Sequence, residues 1–247
     1  MREYYVITGG ARGLGKVIST YFASEGKNLL IIYNTSKESA LSLKKELEDK
    51  YKVSIYTFKC DISSDNDILE LSEFINKNKL NVVSLINNAA VCIDSLFDEK
   101  NKENFMNTLE VNIYGTFNIS KALGNIMYKN KGGSIVNISS TNGIDKYFPM
   151  SIDYDASKSA VNSLTHNLAL EFSPYVRVNA IAPGWINMES EVKDLDDDYI
   201  KSEEEKIFVR RFAEPTEIAK VVYFLTSDDA SYINNDIIKV DGGTYGD

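Results

Sequence analysis

The sequence predicts an α/β fold: a single domain, 1–247, on a doubly wound parallel sheet of about seven strands with helices on both faces. Three observations predict it. Short runs rich in Val and Ile recur along the chain, most of them closed by turn residues, as strands buried on both faces require. Between them lie segments whose apolar residues return at helical spacing over charged faces. Strand and helix alternate throughout, with no linker-like change of composition and no internal repeat.

In chain order, YYVITG is the first strand and runs straight into the glycine-rich TGGARGLGK (residues 8–16). NLLIIYN (28–34) precedes the amphipathic KESALSLKKELEDKY, and VSIYTFKCD (53–61) precedes NDILELSEFINKN. VVSLINNA (82–89), GSIVNISS (133–140), VRVNAIAPG (176–184) and NDIIKVDGG (235–243) complete the sheet.

Bulk properties exclude several functions. A formal net charge of −9 disfavours nucleic acid and anionic membrane surfaces as partners. No apolar run is long enough to span a bilayer, and the chain enters its first strand without a signal peptide, so a cytoplasmic protein is expected. The two cysteines, Cys60 and Cys92, stand far apart with no CxxC spacing, which gives neither a disulfide framework nor a zinc knuckle. A single histidine, His166, rules out two-histidine metal sites, and no GxSxG elbow is present; no metal is expected, and His166 reads as a helix-surface or interface residue.

Open α/β sheets bind ligands beyond the carboxyl ends of their strands, which directs attention to the strand ends. After the first strand, Gly9, Gly13 and Gly15 allow a tight turn and close backbone approach to a diphosphate, over a helix start with free N–H groups. A dinucleotide is the natural ligand, although such turns also serve chain reversal alone. The second strand ends in IIYNTSK, with no acid to repel a 2′-phosphate. Asn34, Ser36 and Lys37, with Arg12 from the glycine turn, suit such a phosphate, so NADP(H) is favoured over NAD(H). Alternatively, Arg12 and Lys37 are solvated charges while Asn34 and Ser36 cap the next helix. Asp61, Asn87 and Asn88 stand at later strand ends, where they can hold adenine and ribose edges or tie turns together. Asn112 interrupts a helical pattern, where asparagine has poor propensity. Ser139 and Ser140 close the fifth strand, and Tyr154 and Lys158 lie one helical turn apart on one face.

TGGARGLG, NNAA, Asn112, Ser140, YDASK (154–158), APG (182–184) and VDGG (240–243) stand in the order and rough spacing of one family. Across nearly its whole length the chain resembles the short-chain dehydrogenases/reductases. The resemblance implies one Rossmann-like domain, NAD(P)-dependent hydride transfer to or from a carbonyl carbon, and a homotetramer with interface helices around 105–128 and 154–172. It carries the catalytic roles onto Asn112, Ser140, Tyr154 and Lys158, with Ser139 the competing serine. It carries cofactor contacts onto Gly9, Arg12, Gly13, Leu14, Gly15, Asn34, Ser36, Asp61, Ile62, Asn88, Ala89, Tyr154, Lys158, Pro183, Gly184 and Ile186. A free phenol titrates at about 10, and a neighbouring ammonium favours its ionised form. Ser140 would then donate to the substrate carbonyl and Tyr154 would protonate the developing alkoxide. Lys158 would also bond the nicotinamide ribose, and Asn112 would hold a water in the proton path.

Two departures from the family pattern stand out. Met188 occupies the place of a threonine after the PG motif, with Asn187 or Ser190 as substitutes, and NNAA replaces NNAG. The segment at about 186–212 is expected to form an acidic lid, in which Met188, Val192, Leu195, Tyr199 and Ile200 line a pocket and the acids face water. Tyr147, Phe148, Pro149 and Met150 are expected as further pocket walls.

The overall pattern is most similar to 3-oxoacyl carrier-protein reductases, with a small carbonyl or alcohol substrate, carrier-linked forms included. That similarity sits against a chain with few basic residues near the entrance, Lys129 and Lys131 being the candidates. Two alternatives stand beside it: a reductase or dehydrogenase of small ketones, sugars or steroid-like alcohols, and a non-catalytic nucleotide-binding regulator or scaffold.

Overall fold

The computed structural model describes residues 2–193 and 195–244, with the side chains of Ser190 and Glu191 left aside. In chain order the elements are β1 (Glu3–Thr8), α1 (Gly13–Ser24), β2 (Asn28–Tyr33), α2 (Lys37–Tyr51), β3 (Ile55–Lys59), α3 (Asp65–Lys77), β4 (Asn81–Asn87) and α4 (Lys102–Leu109). A π-helical turn (Glu110–Gly115) leads into α5 (Thr116–Lys129), followed by β5 (Gly133–Ile138), α6 (Ile152–Glu171), β6 (Val176–Pro183), α7 (Glu189–Val192), α8 (Asp197–Lys206), α9 (Pro215–Thr226) and β7 (Ile237–Val240).

The strands form one parallel sheet of order β3-β2-β1-β4-β5-β6-β7. Side-chain alternation divides the core into two layers. Tyr5 and Ile7 of β1 and Leu29 and Ile31 of β2 enter one cluster, covered by Phe22 of α1, Leu47 of α2 and Val222 of α9. Tyr4 and Val6, with Leu30 and Ile32, enter the other, covered by Leu71 of α3, Leu123 of α5 and Leu168 of α6. Strands apolar on both faces are therefore what the two helical layers demand.

Local signals set the helix ends. Ser64 caps α3 by accepting from the Asp67 amide at 3.3 Å, and Asp65 and Asp67 sit in its first turn. At α9, Pro215 follows Glu214, whose amide donates to the Glu217 carboxylate at 2.8 Å. A buried polar relay crosses the middle of the sheet: Asn87 donates to Ser120 Oγ and Asn137 Oδ1, both at 2.8 Å, and Asn137 donates to Thr165 Oγ1 at 2.8 Å. Asn87 therefore ties β4 and β5 to their covering helices. His166, on the surface of α6, bonds through Nδ1 to Asn235 Oδ1 at 2.6 Å.

Sheet order changes direction between β1 and β4, so a crevice opens beyond their carboxyl ends. Among the described residues no helix is long and apolar enough to cross a membrane.

Candidate active site

The turn after β1 is built for close approach. Gly9 and Gly13 adopt φ of +62° and +51°, conformations that side-chain-bearing residues rarely take. A Cβ on Gly15 would run into the Gly9 carbonyl and come within 2.6 Å of Asn88 Nδ2, so the cradle requires its absence. Arg12 precedes α1 in an extended conformation without a side-chain cap, and the first turn carries no acid. The N–H groups and positive end of α1 are thus presented to an anion, and the turn fits the diphosphate of a dinucleotide.

Thr8 organises the facing turn, a role the sequence did not single out beyond opening the TGG run. Its Oγ1 accepts from the Asn88 and Ala89 amides, each at 2.9 Å, while Asn88 Nδ2 donates to the Thr8 carbonyl at 2.9 Å. The Asn88 side chain is accordingly a staple between β1 and β4. Ala90 keeps a negative φ, so alanine fits where the family pattern has glycine.

Around the second strand end, Arg12 borders a groove between α1 and α2 together with Lys16, Glu38 and Ser39. Ser36 occupies the N-cap position of α2 without a side-chain capping bond, so capping does not consume its hydroxyl. Asn34 differs: its Nδ2 donates to Asp61 Oδ2 at 3.0 Å. Asp61 lies two residues past the end of β3 and also accepts from the Ser63 amide and hydroxyl, at 3.0 and 2.6 Å. The next residue, Ile62, is buried and fills the space above Gly115, where a Cβ would meet its Cγ1 at 2.6 Å.

At the end of β5 the two serines part. Ser139 is buried and donates to the Lys158 carbonyl at 3.3 Å, whereas Ser140 is half-buried and opens a short 3-10 turn. The Ser140 Oγ accepts from the Asn142 amide at 3.2 Å, which leaves its hydroxyl proton for another partner.

On α6 the Lys158 ammonium lies 5.2 Å from the centre of the Tyr154 ring and donates to the Ile138 carbonyl at 2.7 Å. Tyrosine and lysine share one helix face, as their spacing predicts. Burial pulls the Lys158 amine down to about 8. Lysine with that value still carries its proton near neutrality.

Asn112 falls in the π-helical turn, a geometry often found at functional sites. Its Oδ1 accepts from the Val91 amide at 2.8 Å, and its Nδ2 donates to the Val91 carbonyl at 2.9 Å and to Ser157 Oγ at 3.0 Å. Both amide hydrogens are committed to protein. The side chain acts mainly as a strut between α6 and the segment after β4.

The PG motif closes the crevice from the other side. Gly184 donates to the Val240 carbonyl at 3.2 Å, Pro183 ends β6, and Ile186 is buried beside Ala213. Met188 Cε approaches the space above Gly13, lying 3.8 Å from where a Cβ would be. The Asn187 side chain is exposed, and its Nδ2 donates to Glu214 Oε1 at 3.3 Å. The Ser190 side chain lies outside the described residues.

Along 186–212 not every described acid faces water, since Glu203 and Glu204 are half-buried. Val192, Leu195, Tyr199 and Ile200 are half-buried, whereas Asp196, Asp197 and Asp198 are exposed; Asp194 lies outside the described residues. Trp185 fastens α8 from below, donating to Glu203 Oε2 at 3.3 Å and stacking on Phe212. Of the expected wall residues, Phe148 is half-buried while Tyr147, Pro149 and Met150 are exposed.

A family model described as "Enoyl-(Acyl carrier protein) reductase" matches residues 9–245. The 3-oxoacyl-[acyl-carrier-protein] reductase FabG of Thermotoga maritima is 35% identical over 240 residues, 96% of each chain. Its Aquifex aeolicus counterpart is 35% identical over 242 residues, 97% of this chain and 96% of the relative. The solved 3-oxoacyl-[acyl-carrier protein] reductase of Brucella melitensis superposes with a TM-score of 0.90 at 28% identity, covering 100% of this chain and 92% of that one. Likeness of this extent, in sequence and in backbone from end to end, makes the chain a member of the short-chain dehydrogenase/reductase family of NAD(P)-dependent oxidoreductases.

Proposed function

We propose that the protein is an NADP(H)-dependent reductase of 3-oxoacyl groups, carrier-linked or free, working through Ser140, Tyr154 and Lys158. The observation that carries this reading is the buried Lys158 ammonium, held 5.2 Å from the Tyr154 ring and bonded to the Ile138 carbonyl at the carboxyl end of β5. When bound, the nicotinamide supplies hydride to the substrate carbonyl carbon or accepts it from the alcohol.

Ser140 donates a hydrogen bond to the carbonyl oxygen, where negative charge develops. Tyr154 gives that oxygen its proton and takes one back in oxidation. Lys158 favours the phenolate left behind and donates to the nicotinamide ribose. Asn112 holds Val91 and Ser157 in register with them, and one Oδ1 lone pair remains for a water. Gly9, Gly13, Leu14 and Gly15 receive the diphosphate; Asp61, Ile62, Asn88 and Ala89 border the adenosine and ribose; Pro183, Gly184 and Ile186 border the nicotinamide.

For cofactor choice, Arg12 and Ser36 support the 2′-phosphate, whereas Asn34 contributes less than its position implies because Asp61 holds its amide. NADPH is expected to bind more tightly than NADH, and Arg12→Ala to shrink that preference about tenfold, the effect of one charge-assisted contact. Titration of both cofactors against both proteins checks it; an unchanged ratio removes Arg12 from the site.

A second substrate reading, small ketones, sugars or steroid-like alcohols, is favoured by one feature. The exposed acids of the lid, Asp196, Asp197 and Asp198, put like charge before an acidic carrier protein. Following NADPH oxidation with 3-oxoacyl groups on carrier protein and on a small thioester, with enoyl thioesters and with free ketones, separates these readings. Higher kcat/KM on the carrier supports the first. Preference for free ketones supports the second, and tight NADPH binding without turnover on any substrate leaves a nucleotide-binding scaffold. A cytoplasmic homotetramer completes the proposal, with α5 and α6 as interface helices; Phe117, Tyr128 and Leu170 leave apolar surface exposed on and beside them.

A further inference from the structure

Two carboxylates flank Tyr154, and the proton path uses neither. Asp153 is fully buried and meets the Lys100 ammonium at 2.8 Å through Oδ1, an ion-pair contact rather than an aligned hydrogen bond. Its Oδ2 accepts from Thr108 Oγ1 at 2.7 Å. Lys100 also donates to the Ile93 carbonyl at 2.5 Å, so one ammonium closes residues 93–100 on themselves and fastens them to the start of α6. That segment borders the site, since Val91 just before it is held by Asn112, whose Nδ2 also donates to Ser157 Oγ, the residue before Lys158.

Asp155 serves the opposite side. Its Oδ1 accepts from Asn142 Nδ2 at 2.7 Å and Ser151 Oγ at 3.0 Å, and its Oδ2 from the Phe148 amide at 2.9 Å. These bonds gather residues 142–151, the segment that leaves Ser140 and carries Tyr147 to Met150. The two segments then meet, with the Ser95 amide donating to the Met150 carbonyl at 3.1 Å. Acids in a first helical turn are favoured by the dipole alone. Dipole compensation, however, requires neither complete burial nor a partner on each flanking segment.

We propose that Asp153 and Asp155 are positioning residues that hang the two walls of the substrate pocket, 93–100 and 142–151, on the first turn of the tyrosine helix. They fix the gap in which a carbonyl meets Ser140 and Tyr154. The role given to that gap rests on the reductase reading above; the fastening of the walls does not.

The test has two arms. In the kinetic arm, Asp155→Asn sets amide against amide at Asn142 and is expected to raise KM about tenfold, as loss of one charge-assisted bond does. NADPH affinity stays unchanged. Adding Asn142→Asp restores the pair with reversed polarity and returns KM to within about threefold. An unchanged KM, or a double exchange no better than the single variant, overturns the proposal for that wall.

The second arm needs no substrate. Cys92 reaches solvent, but desolvation and then the Asp94 carboxylate, which accepts from its Sγ at 3.3 Å, hold the thiol up to about 12; Cys60 is buried. Removing the ion pair as a unit, Asp153→Asn with Lys100→Met, leaves no unpaired buried charge. Labelling of Cys92 by a thiol reagent is expected to quicken about fivefold while Cys60 stays protected. Thr108→Val, which removes one bond and keeps the pair, is a milder variant expected to give about twofold. Equal labelling in these proteins and the wild type overturns the proposal, and quickened labelling in the variants of a protein whose wild type lacks reductase activity would fault the function and leave the walls as described.

Discussion

Tyr154→Phe is expected to lower turnover about 10²- to 10⁴-fold, the range for loss of a positioned general acid. Phenylalanine preserves the ring that stands 5.2 Å from the Lys158 ammonium, so packing and the cation–π contact survive. Only the hydroxyl leaves. NADPH affinity is therefore expected to stay within about threefold of wild type, because the diphosphate cradle and the Lys158 ammonium are untouched. Ser140→Ala, which removes a donor to the carbonyl oxygen but no proton, is expected to cost about 10²- to 10³-fold. Single-turnover measurement of NADPH oxidation under saturating ketone reads both losses on the chemical step. Turnover of Tyr154→Phe within tenfold of wild type would remove the phenol from the proton path and return the reading to a serine-assisted or cofactor-only site.

The sheet and the glycine turn were legible in the sequence because their causes are local. Seven apolar runs announce buried strands, and the positive φ of Gly9 and Gly13 permits few residues other than glycine. Tyr154 and Lys158 were legible because helical periodicity fixes their common face. What escaped depends on partners far along the chain. Nothing around Thr8 tells that its hydroxyl receives the amides of Asn88 and Ala89, 80 and 81 residues away. Nor does the sequence tell that Asn34 donates to Asp61 or that Asn187 donates to Glu214, each 27 residues away. Asp153 and Asp155 pass for ordinary first-turn acids in sequence; their partners Lys100, Thr108 and Asn142 are named only by the fold. Short polar side chains choose among several partners of similar energy, and tertiary geometry makes the choice.

Lys158→Met is expected to move stability and activity in opposite directions. The wild-type amine falls from 10.5 to about 8 because burial disfavours its charge, so below about pH 8 the folded protein bears that cost in full. Between about 8 and 10.5 the unfolded chain binds a proton that the folded chain does not, so stability rises with pH across that window. The whole interval corresponds to a cost on the order of 3 kcal/mol. Methionine fills similar volume without charge but strands the Ile138 carbonyl, returning about 1 kcal/mol of the gain. Cofactor-free Lys158→Met is therefore expected to be about 2 kcal/mol more stable than wild type at pH 7, or several degrees in Tm at about 2–4 °C per kcal/mol for a chain of this size. That advantage should shrink as pH passes 8, because the wild type alone gains. Urea unfolding of both proteins at pH 7 and pH 9.5 measures the sign and the convergence; a variant less stable at pH 7, with a gap independent of pH, would show that Lys158 costs the fold nothing. Turnover should fall with the loss of the ammonium that favours the phenolate, and NADPH should then stabilise the wild type more than the variant, because the stability a ligand adds grows with the logarithm of its concentration over Kd. Finding both shifts together would assign Lys158 to the ligand, since the fold alone would be better served by an apolar side chain.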